Sequence, residues 1–472
     1  MHVSFFGASR EVTGSNILVE TCGKKILLDC GLFQGYKLAE ERNYAPFAYD
    51  AKSIDFVIIG HAHLDHTGRL PKLVKDGFKG TIYSTGPTKE LARLVLDDSE
   101  KLMSEQRKDA THPPLYSKED IERTMELFEN LAYNEPLEIS PGIKITLFNA
   151  GHILGSAITK IEAEGTSLVY TSDLGNNPSL LLKPPEFIVS ADFLICESTY
   201  GGRVHEDPNK RIGKLAQAIS STIAKNAVLM IPTFAIERTQ ELLHDIEDFC
   251  TTQGCEKPAF YLDSPLALKV TEVFKKYSSY LNNDMQKKHP DSDFFGFDRL
   301  HICPTVEDSK AINTSPNPKV IIAGSGMMNG GRILYHIRNY IDNPNNTLLI
   351  VGYQAKGTLG RRLYDGDKEI SIFGKKAKVS ANIFAIGSYS AHADMPQLIN
   401  WISKIKNLQK VFLVHGESEQ ALTLSNQITS KLNIDTVIPQ QGESYELRVS
   451  TDQRLESKAN GNFGTLETLK YG

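Results

Sequence analysis

The strongest constraint on the fold is a concentration of metal-binding side chains in residues 60–68, Gly-His-Ala-His-Leu-Asp-His-Thr-Gly. They directly follow the apolar run 56–59, which is typical of a strand. Side chains alternate along a strand, so His61 and His63 can share one ion, while Asp65 and His66 suit a second. Imidazole and carboxylate groups are ligands of Zn²⁺ and related metals. A polar loop with several histidines is the plainer alternative, but the spacing favours a metal site.

The composition indicates a globular protein of more than one domain. A chain of 472 residues exceeds one ordinary core, and its hydrophobic and charged contents of 40% and 23% are typical of soluble proteins. No apolar run approaches the roughly 20 residues that span a bilayer, and the N-terminus lacks a signal-peptide pattern. Six cysteines without a Cys-x-x-Cys pair favour reduced thiols. We therefore expect a cytoplasmic protein without a membrane partner.

The net charge of −5 gives no overall nucleic-acid signature. Nucleic-acid binding is nevertheless compatible with this value, because basic residues can cluster locally and bound cations offset acidic ligands.

The first 204 residues alternate short strands, turns and a few helices. The pattern predicts a helix over 87–108 and another that begins after Ser117 as its N-cap. Apolar runs predict strands at 3–7, 17–20, 25–29, 55–59, 81–84, 137–148, 157–162, 166–171 and 193–197.

Regular strand–helix alternation begins near residue 205 and predicts a parallel sheet with helices on both faces. The predicted strands are 227–232, 259–262, 320–322 and 347–351, and the predicted helices are 236–249, 265–280 and 332–341. After residue 380 the pattern of short strands and turns seen in the first part of the chain returns, with a predicted strand at 410–414. We therefore predict a first domain split into 1–204 and 381–450, an inserted α/β domain over 205–380, and a loosely held tail over 451–472.

Four further ligand candidates follow apolar strands at sharp turns: Asp29, His152, Asp173 and His415. Each alone is a weak signal, because an aspartate at a strand end is often a turn former or a helix cap. Together with the first motif, they supply enough ligands for two metal ions.

The combination of these motifs resembles the metallo-β-lactamase superfamily, whose fold is an αββα sandwich. The resemblance rests on His-x-His-x-Asp-His at 61–66, Gly-His at 151–152 and Ser-Asp-x-Gly at 172–175. Segments 196–201, 390–394 and 413–417 resemble motifs A, B and C of the β-CASP nucleases, and blocks 232–240, 325–332 and 352–358 also match. The implied fold class is α/β, an αββα sandwich with an inserted parallel-sheet β-CASP domain.

The resemblance covers residues 1 to about 445 and is closest to the RNA-processing branch. This branch includes the endonuclease subunit of the cleavage and polyadenylation factor and its short bacterial relatives. Neither a KH domain nor the additional C-terminal domain of RNase J is apparent, so we expect the short bacterial type.

The family pattern implies two zinc ions, although Mn²⁺ or Fe²⁺ would also accept these ligands. Two such ions lower the pKa of a bridging water and support in-line displacement at phosphorus. The pattern assigns three side chains to each ion and one to a bridge: His61, His63 and His152; Asp65, His66 and His415; and Asp173.

The resemblance also implies catalytic and supporting roles. His392 is the expected general acid, since histidine titrates near working pH, and Glu197 would orient it. Asp29 would fix the orientation of a metal ligand without binding the metal itself. Asp65 counts among the catalytic residues as well. Alternatively, His392 is a further metal ligand or a structural histidine, and Glu197 an ordinary strand-end carboxylate. The remaining seven histidines are expected to be structural or exposed: 2, 112, 205, 244, 289, 301 and 336.

Glycine-rich turns near a predicted helix start are candidate phosphate sites, through backbone amides of Ser325 and Gly326. The other candidate phosphate contacts are Arg332, Lys356, Arg361 and Ser390. Alternatively, such glycine-rich turns only reverse the chain direction, and the basic side chains near them only face the solvent. Single-stranded RNA would pass between the two domains, where aromatic side chains could stack on bases.

We therefore expect a di-zinc ribonuclease that cuts single-stranded RNA internally by water attack, with His392 as general acid. One alternative is hydrolysis of a small ester, thioester or lactam at the same centre. Others are 5′-exonuclease action and a catalytically silent RNA-binding scaffold. The sequence leaves the oligomeric state open, with a homodimer as one option.

Overall fold

The computed structural model describes residues 1–35, 41–105, 112–253, 258–289, 296–297 and 299–449. The predicted tail over 451–472 and the end of the helix predicted over 87–108 lie outside these residues. No helix in this part of the chain is long and apolar enough to cross a membrane.

Before residue 200, the residues that the structure describes form short strands and four α-helices. The strands are β1 (His2–Gly7), β2 (Asn16–Thr21), β3 (Lys24–Leu28), β4 (Phe56–Ile58), β5 (Thr81–Ser84), β6 (Phe128–Asn130), β7 (Leu137–Ser140), β8 (Ile143–Asn149), β9 (Ala157–Ala163), β10 (Thr166–Tyr170) and β11 (Phe193–Glu197). The helices are α1 (Leu64–Thr67), α2 (Leu70–Lys75), α3 (Gly86–Glu105) and α4 (Lys118–Glu126).

Strands and helices alternate through most of the next segment. Its strands are β12 (Val228–Pro232), β13 (Ala259–Asp263), β14 (Leu300–Ile302), β15 (Lys319–Ala323), β16 (Thr347–Ile350), β17 (Glu369–Ile372), β18 (Lys375–Lys378) and β19 (Asn382–Ala385). Its helices are α5 (Arg211–Ala224), α6 (Arg238–Gln253), α7 (Pro265–Lys276), α8 (Asn283–Lys288), α9 (Val306–Ala311), α10 (Ile333–Tyr340) and α11 (Leu359–Tyr364).

The last described segment returns to the first part of the molecule. It contains α12 (Met395–Ser403), β20 (Lys410–Val414), α13 (Ser418–Leu432), β21 (Asp435–Val437) and β22 (Ser444–Glu446).

Two seven-stranded sheets pack face to face, in the orders β22-β1-β2-β3-β4-β5-β6 and β21-β20-β11-β10-β9-β8-β7. Both combine early and late strands, because β22 pairs with β1 and β20 lies between β11 and β21. Their inner faces bury apolar side chains such as Phe5, Ile145 and Phe412. Helices α2 and α4 cover one outer face, and α12 and α13 cover the other. The predicted αββα sandwich is therefore confirmed.

A third sheet is formed by six parallel strands, in the order β14-β13-β15-β12-β16-β19. Helices α5, α6 and α7 pack on one face, and α10 and α11 pack on the other. Burial on both faces explains why β12 is apolar at every position. The predicted parallel-sheet insertion is confirmed, while the domain limits given above stay predictions.

Some local predictions need correction. The strand predicted over 137–148 is an antiparallel pair, β7 and β8, because Pro141 and Gly142 form a turn in which Gly142 has a φ of +79°. The helix predicted over 265–280 ends at Lys276 and is followed by a 3₁₀ turn. The N-cap prediction for Ser117 is confirmed, since its side chain and that of Asp120 form a capping box.

The cysteines follow the prediction only in part. Cys22, Cys30, Cys196 and Cys303 are free thiols. Cys250 is disulfide-bonded, so the expectation of reduced thiols is wrong at this position.

Candidate metal centre

Strand ends from both sheets of the sandwich meet at one edge. In the first sheet, β3 and β4 are parallel and end just before Asp29 and His61. In the second sheet, β8, β10 and β20 run in the same direction. His152, Asp173 and His415 lie shortly after the ends of these three strands. This topology explains why side chains distant in the sequence form one cluster.

The first cluster contains three imidazoles and one carboxylate. Nδ1 of His63 lies 3.0 Å from Nε2 of His61 and 3.3 Å from Nε2 of His152. Oδ2 of Asp173 lies 3.5 Å from the Nε2 atoms of both His61 and His152. Four possible ligand atoms therefore surround one point.

The second cluster contains Asp65, His66 and His415, and it also faces Asp173. The Nε2 atoms of His66 and His415 lie 4.0 and 3.9 Å from Oδ2 of Asp65. The same nitrogens lie 3.4 and 3.3 Å from Oδ1 of Asp173. Asp173 thus presents one oxygen to each cluster.

The residues present fit divalent metal ions. Tetrahedral ligands at zinc bond lengths lie about 3.3 Å apart. Most separations in the two clusters are close to this value, and those from Asp65 are longer, at 3.9 and 4.0 Å. Nε2 of His66 and Oδ1 of Asp173 are buried and have no hydrogen-bond partner, although buried polar atoms are normally paired. A cation between these atoms would satisfy both.

Burial holds most of the candidate ligands in the form that binds metal. It lowers the pKa of His61 and His152, and it lowers the pKa of His63 and His415 to about 3. Neutral imidazole is the form that coordinates metal.

His66 differs from the other imidazoles. Burial lowers its pKa, but the charges of Asp173 and Asp29 outweigh burial and raise the pKa well above its ordinary value. A cation bound to Nε2 would replace that proton.

Asp29 supports the second cluster from behind. Its Oδ2 lies 2.7 Å from Nδ1 of His66 and accepts a hydrogen bond of 2.6 Å from the Tyr170 hydroxyl. Its Oδ1 accepts a hydrogen bond of 2.8 Å from the backbone of Gly60. These contacts fix the His66 ring with Nε2 towards Asp173.

His392 and Glu197 form a pair beside the first cluster. Nδ1 of His392 lies 3.1 Å from both carboxylate oxygens of Glu197, which is fully buried. Burial lowers the pKa of His392, but Glu197, Asp173 and Asp65 raise it to about 9. The side chain therefore holds a proton close to the candidate metal ligands.

Several supporting groups were not anticipated from the sequence. Ser172 lies 3.1 Å from Nδ1 of His61 through its hydroxyl, and the Ala391 carbonyl lies 3.3 Å from Nδ1 of His152. His205, expected to be structural or exposed, places Nε2 2.8 Å from the backbone carbonyl of His392. The only available signal was adjacency, since Ser172 and Ala391 border the Asp173 and His392 motifs.

The candidate phosphate contacts divide into three groups. The first borders the site. Oγ of Ser390 accepts a bond of 3.3 Å from the His392 backbone, and Lys356 pairs at 2.5 Å with Glu417, two residues after His415.

Ser325 and Gly326 lie in the loop after β15. The backbone and hydroxyl of Ser325 both donate to the Gly330 carbonyl at 3.4 Å. Phe234 packs against Gly326, where a Cβ atom would lie 2.5 Å from the ring. The Phe234 and His63 ring centroids are 6.4 Å apart.

Two basic candidates pair elsewhere. Arg332 donates at 2.6 Å to both Oδ1 of Asp263 and the Cys303 carbonyl. Arg361 pairs at 2.9 Å with Asp365, the C-cap residue of its own helix, α11. Asp263 and the Cys303 carbonyl hold the Arg332 guanidinium, whose side chain is 19% exposed, and its expected phosphate contact stays a prediction.

Three known families match successive parts of the chain. Residues 18–188 match the metallo-beta-lactamase superfamily domain, residues 239–363 match the Beta-Casp domain, and residues 376–439 match the Zn-dependent metallo-hydrolase RNA specificity domain.

Similar proteins extend over nearly the whole chain. A Thermus thermophilus protein named Ribonuclease TTHA0252 is 37% identical, over 90% of this chain and 95% of that protein. An RNase J-like protein of Methanocaldococcus jannaschii is 34% identical, over 93% of this chain and 98% of its own. Transcription termination factor FttA of Methanococcus maripaludis is 32% identical, over 95% of this chain and 72% of the factor.

A solved structure agrees in fold. The crystal structure of a protein of unknown function from Enterococcus faecalis superposes with a TM-score of 0.55 at 11% identity, covering 94% of this chain and 99% of that one. The family matches, and the relatives that are matched over 95% and 98% of their own length, agree with the site geometry. The chain belongs to the β-CASP ribonuclease family of the metallo-β-lactamase superfamily.

Proposed function

We propose that this protein is a two-metal ribonuclease that cleaves single-stranded RNA internally. The position of Asp173 carries the proposal, because its Oδ1 faces His66 and His415 while its Oδ2 faces His61 and His152. A carboxylate with this placement can bridge two cations that act on one phosphate. The relatives named as ribonucleases support RNA as the substrate.

Zinc is the metal we propose for both sites. The candidate ligands are mostly imidazoles, which suit zinc, and Mn²⁺ or Fe²⁺ would fit the same donors. When bound, the two ions would lower the pKa of a water molecule and offset negative charge on the scissile phosphate.

His392 would supply the proton that the leaving strand needs. A water molecule that has lost one proton to the solvent attacks phosphorus, the bond from phosphorus to the 3′-oxygen breaks, and Nε2 of His392 transfers its proton to that oxygen. Glu197 holds Nδ1 at 3.1 Å and so directs Nε2 away from itself, towards the substrate. The products would be a 3′-hydroxyl on one fragment and a 5′-phosphate on the other.

The RNA would lie between the sandwich and the insert. Phe234 is half-buried beside His63 and could stack on a base, while Ser390 and Lys356 border the site and could contact phosphates. A cytoplasmic location and a homodimer stay predictions.

The test compares substrates with protein of measured metal content. Circular RNA, 5′-labelled linear RNA and a panel of esters, thioesters and lactams are incubated with the wild-type protein and with His392→Ala. We expect linear product from circular RNA, about two metal ions per chain in both proteins, and cleavage reduced by at least about 100-fold in the variant. His301→Ala, at an exposed histidine in the insert, is the control.

Each other outcome rejects a defined part of the proposal. Cleavage of linear RNA alone would indicate obligate exonuclease action. Turnover of the small substrates without RNA cleavage would replace the ribonuclease assignment. Unchanged cleavage by His392→Ala would reject this residue as the general acid.

A further inference from the structure

An exposed aromatic pair lies on the outside of the insert. Tyr335 and Phe373 are 50% and 49% exposed, and their ring centroids are 4.7 Å apart. The guanidinium carbon of Arg338 lies 5.6 Å from the Tyr335 centroid and 5.5 Å from the Phe373 centroid. We call these three side chains the aromatic platform. The two half-exposed rings are inclined at 36° to each other, with a cation near both, and they offer aromatic faces of the kind on which nucleic-acid bases stack.

The local backbone is unusual at Phe373. This residue occupies the turn between β17 and β18 with a φ of +50°, followed by Gly374 at +72°. Such a two-residue turn favours Asn-Gly, and a bulky side chain is strained there. Ile370 and Ile372 already anchor the hairpin in the core. The phenyl ring therefore serves neither the turn nor the core, and backbone strain of this type often marks a functional position.

The platform lies near the edge of the insert that faces the metal centre. Helix α10 follows the loop of Gly326, which packs on Phe234 beside His63. Tyr335 belongs to the first turn of this helix, so it lies about one turn from that loop. Phe373 contacts Tyr335, and the tip of the hairpin therefore lies at the same edge.

The charge around the platform suits a polyanion. Segment 361–378 contains six basic and three acidic residues, whereas the whole chain has a net charge of −5. Lys375 and Lys378 are exposed on the hairpin, close in sequence to Phe373. Local positive charge on an acidic protein provides contacts to phosphates next to the rings.

We propose that the aromatic platform binds single-stranded RNA outside the catalytic cleft, with bases stacked on Tyr335 and Phe373 and phosphates near Arg338 and the hairpin lysines. The platform extends the binding site along the strand, so it favours long RNA over short fragments. This inference rests on the proposed ribonuclease function.

The test uses the substitution Phe373→Asn in the full chain. Asparagine accepts a positive φ before glycine, so this variant keeps the hairpin while removing the ring. Binding of fluorescent RNAs of 8 and 30 nucleotides is followed by anisotropy, and cleavage of the same RNAs gives kcat and KM. We expect an affinity for the 30-mer about ten-fold lower, with a similar rise in its KM. The affinity of the variant for the 8-mer, its kcat and its melting temperature should equal those of the wild type.

Two further variants sharpen the result. Tyr335→Ala should repeat the effect, because it removes the other ring. Phe187→Ala removes an aromatic side chain of similar exposure, 54%, from outside the insert and should bind both RNAs as the wild type does.

The outcomes separate this inference from the proposed function. Unchanged affinity of Phe373→Asn for the 30-mer would overturn the platform even if the protein cleaves RNA. Wild-type binding that depends on the platform, without cleavage of either RNA, would support the platform and reject the proposed activity. If the substitution changes the molar mass in light scattering and leaves RNA affinity unchanged, the surface is an interface between copies of this chain and the inference is wrong.

Discussion

The hydroxyl of Tyr389 donates a hydrogen bond of 2.7 Å to Oδ2 of Asp245. Nε of Arg211 donates to the same carboxylate oxygen at 2.7 Å, and Tyr389 and Asp245 are both almost completely buried. Tyr389 precedes His392 by three residues, whereas Asp245 belongs to helix α6 of the insert. The insert is therefore attached directly to the segment that carries the proposed general acid.

Substitution Tyr389→Phe should slow cleavage without changing the metal content. Loss of the hydroxyl releases the His392 segment from α6, and small displacements of a catalytic group are costly. We expect kcat to fall about ten-fold with KM little changed, as measured by steady-state cleavage of a fluorescent RNA. Tyr280→Phe removes a hydroxyl elsewhere in the insert and serves as the control. An equal loss in both variants would contradict a positioning role.

Removal of Asp29 should weaken one metal site selectively. Its carboxylate orients His66 at 2.7 Å, and such partners typically contribute about 10- to 100-fold to metal affinity. Competition of Asp29→Asn with a fluorescent zinc chelator should therefore show one weakened and one unchanged site per chain. The exposed Asp50→Asn is the matched control. Two unchanged sites would show that Asp29 has no such role.

Single ligand substitutions should change the metal stoichiometry in a defined pattern. His63→Ala and His415→Ala each remove a ligand from one cluster, so each should retain about one ion per chain. Asp173→Asn weakens both clusters, because Oδ1 and Oδ2 face different ones. Elemental analysis after gel filtration measures the content. If Asp173→Asn retains two tightly bound ions, the bridging role is wrong.

Glu237 should make the stability depend on pH. Burial is the largest influence and, against the charge of Arg238, raises the pKa of this carboxyl from 4.5 to about 8. The folded state therefore keeps a proton that the unfolded state releases above about pH 4.5. Stability from this group is present at low pH and declines as pH rises from about 4.5 to about 8, by on the order of a few kcal/mol.

The variant Glu237→Gln lacks this titration. Its melting temperature relative to the wild type should increase between pH 5 and pH 8.5, as measured at fixed metal concentration. Glu272→Gln, at a side chain that is 71% exposed, should show no such trend. A constant difference for Glu237→Gln would contradict a protonated, buried Glu237.

Much of the fold and the candidate site could be predicted from the sequence. Apolar runs that end in His or Asp placed Asp29, His152, Asp173 and His415 at strand ends, and parallel topology brings such ends together. The motif resemblance predicted the sandwich and its insertion. The two seven-stranded sheets confirm this prediction, because each combines strands from before and after the insert. The proposed roles of these residues stay predictions.

Other features depend on distant partners and could not be predicted in this way. Arg332 resembled a free cation beside a glycine-rich turn, but the sequence did not indicate that Asp263 would bind it. Likewise, Tyr170 is an ordinary apolar strand position until the other sheet places Asp29 within 2.6 Å of its hydroxyl. The division of the strand predicted over 137–148 had a local cause instead, because Pro141 and Gly142 form a turn between β7 and β8.

The late position of β20 has a consequence for protein synthesis. This strand lies between β11 and β21 and ends immediately before His415, so a ligand of the second cluster follows the whole insert in the chain. A nascent chain that stops within the insert carries His61, His63 and His152 but neither His392 nor His415. Under the proposed mechanism, translation products that stop before His415 therefore lack a complete centre, and nuclease activity can begin only after β20 and His415 have been made.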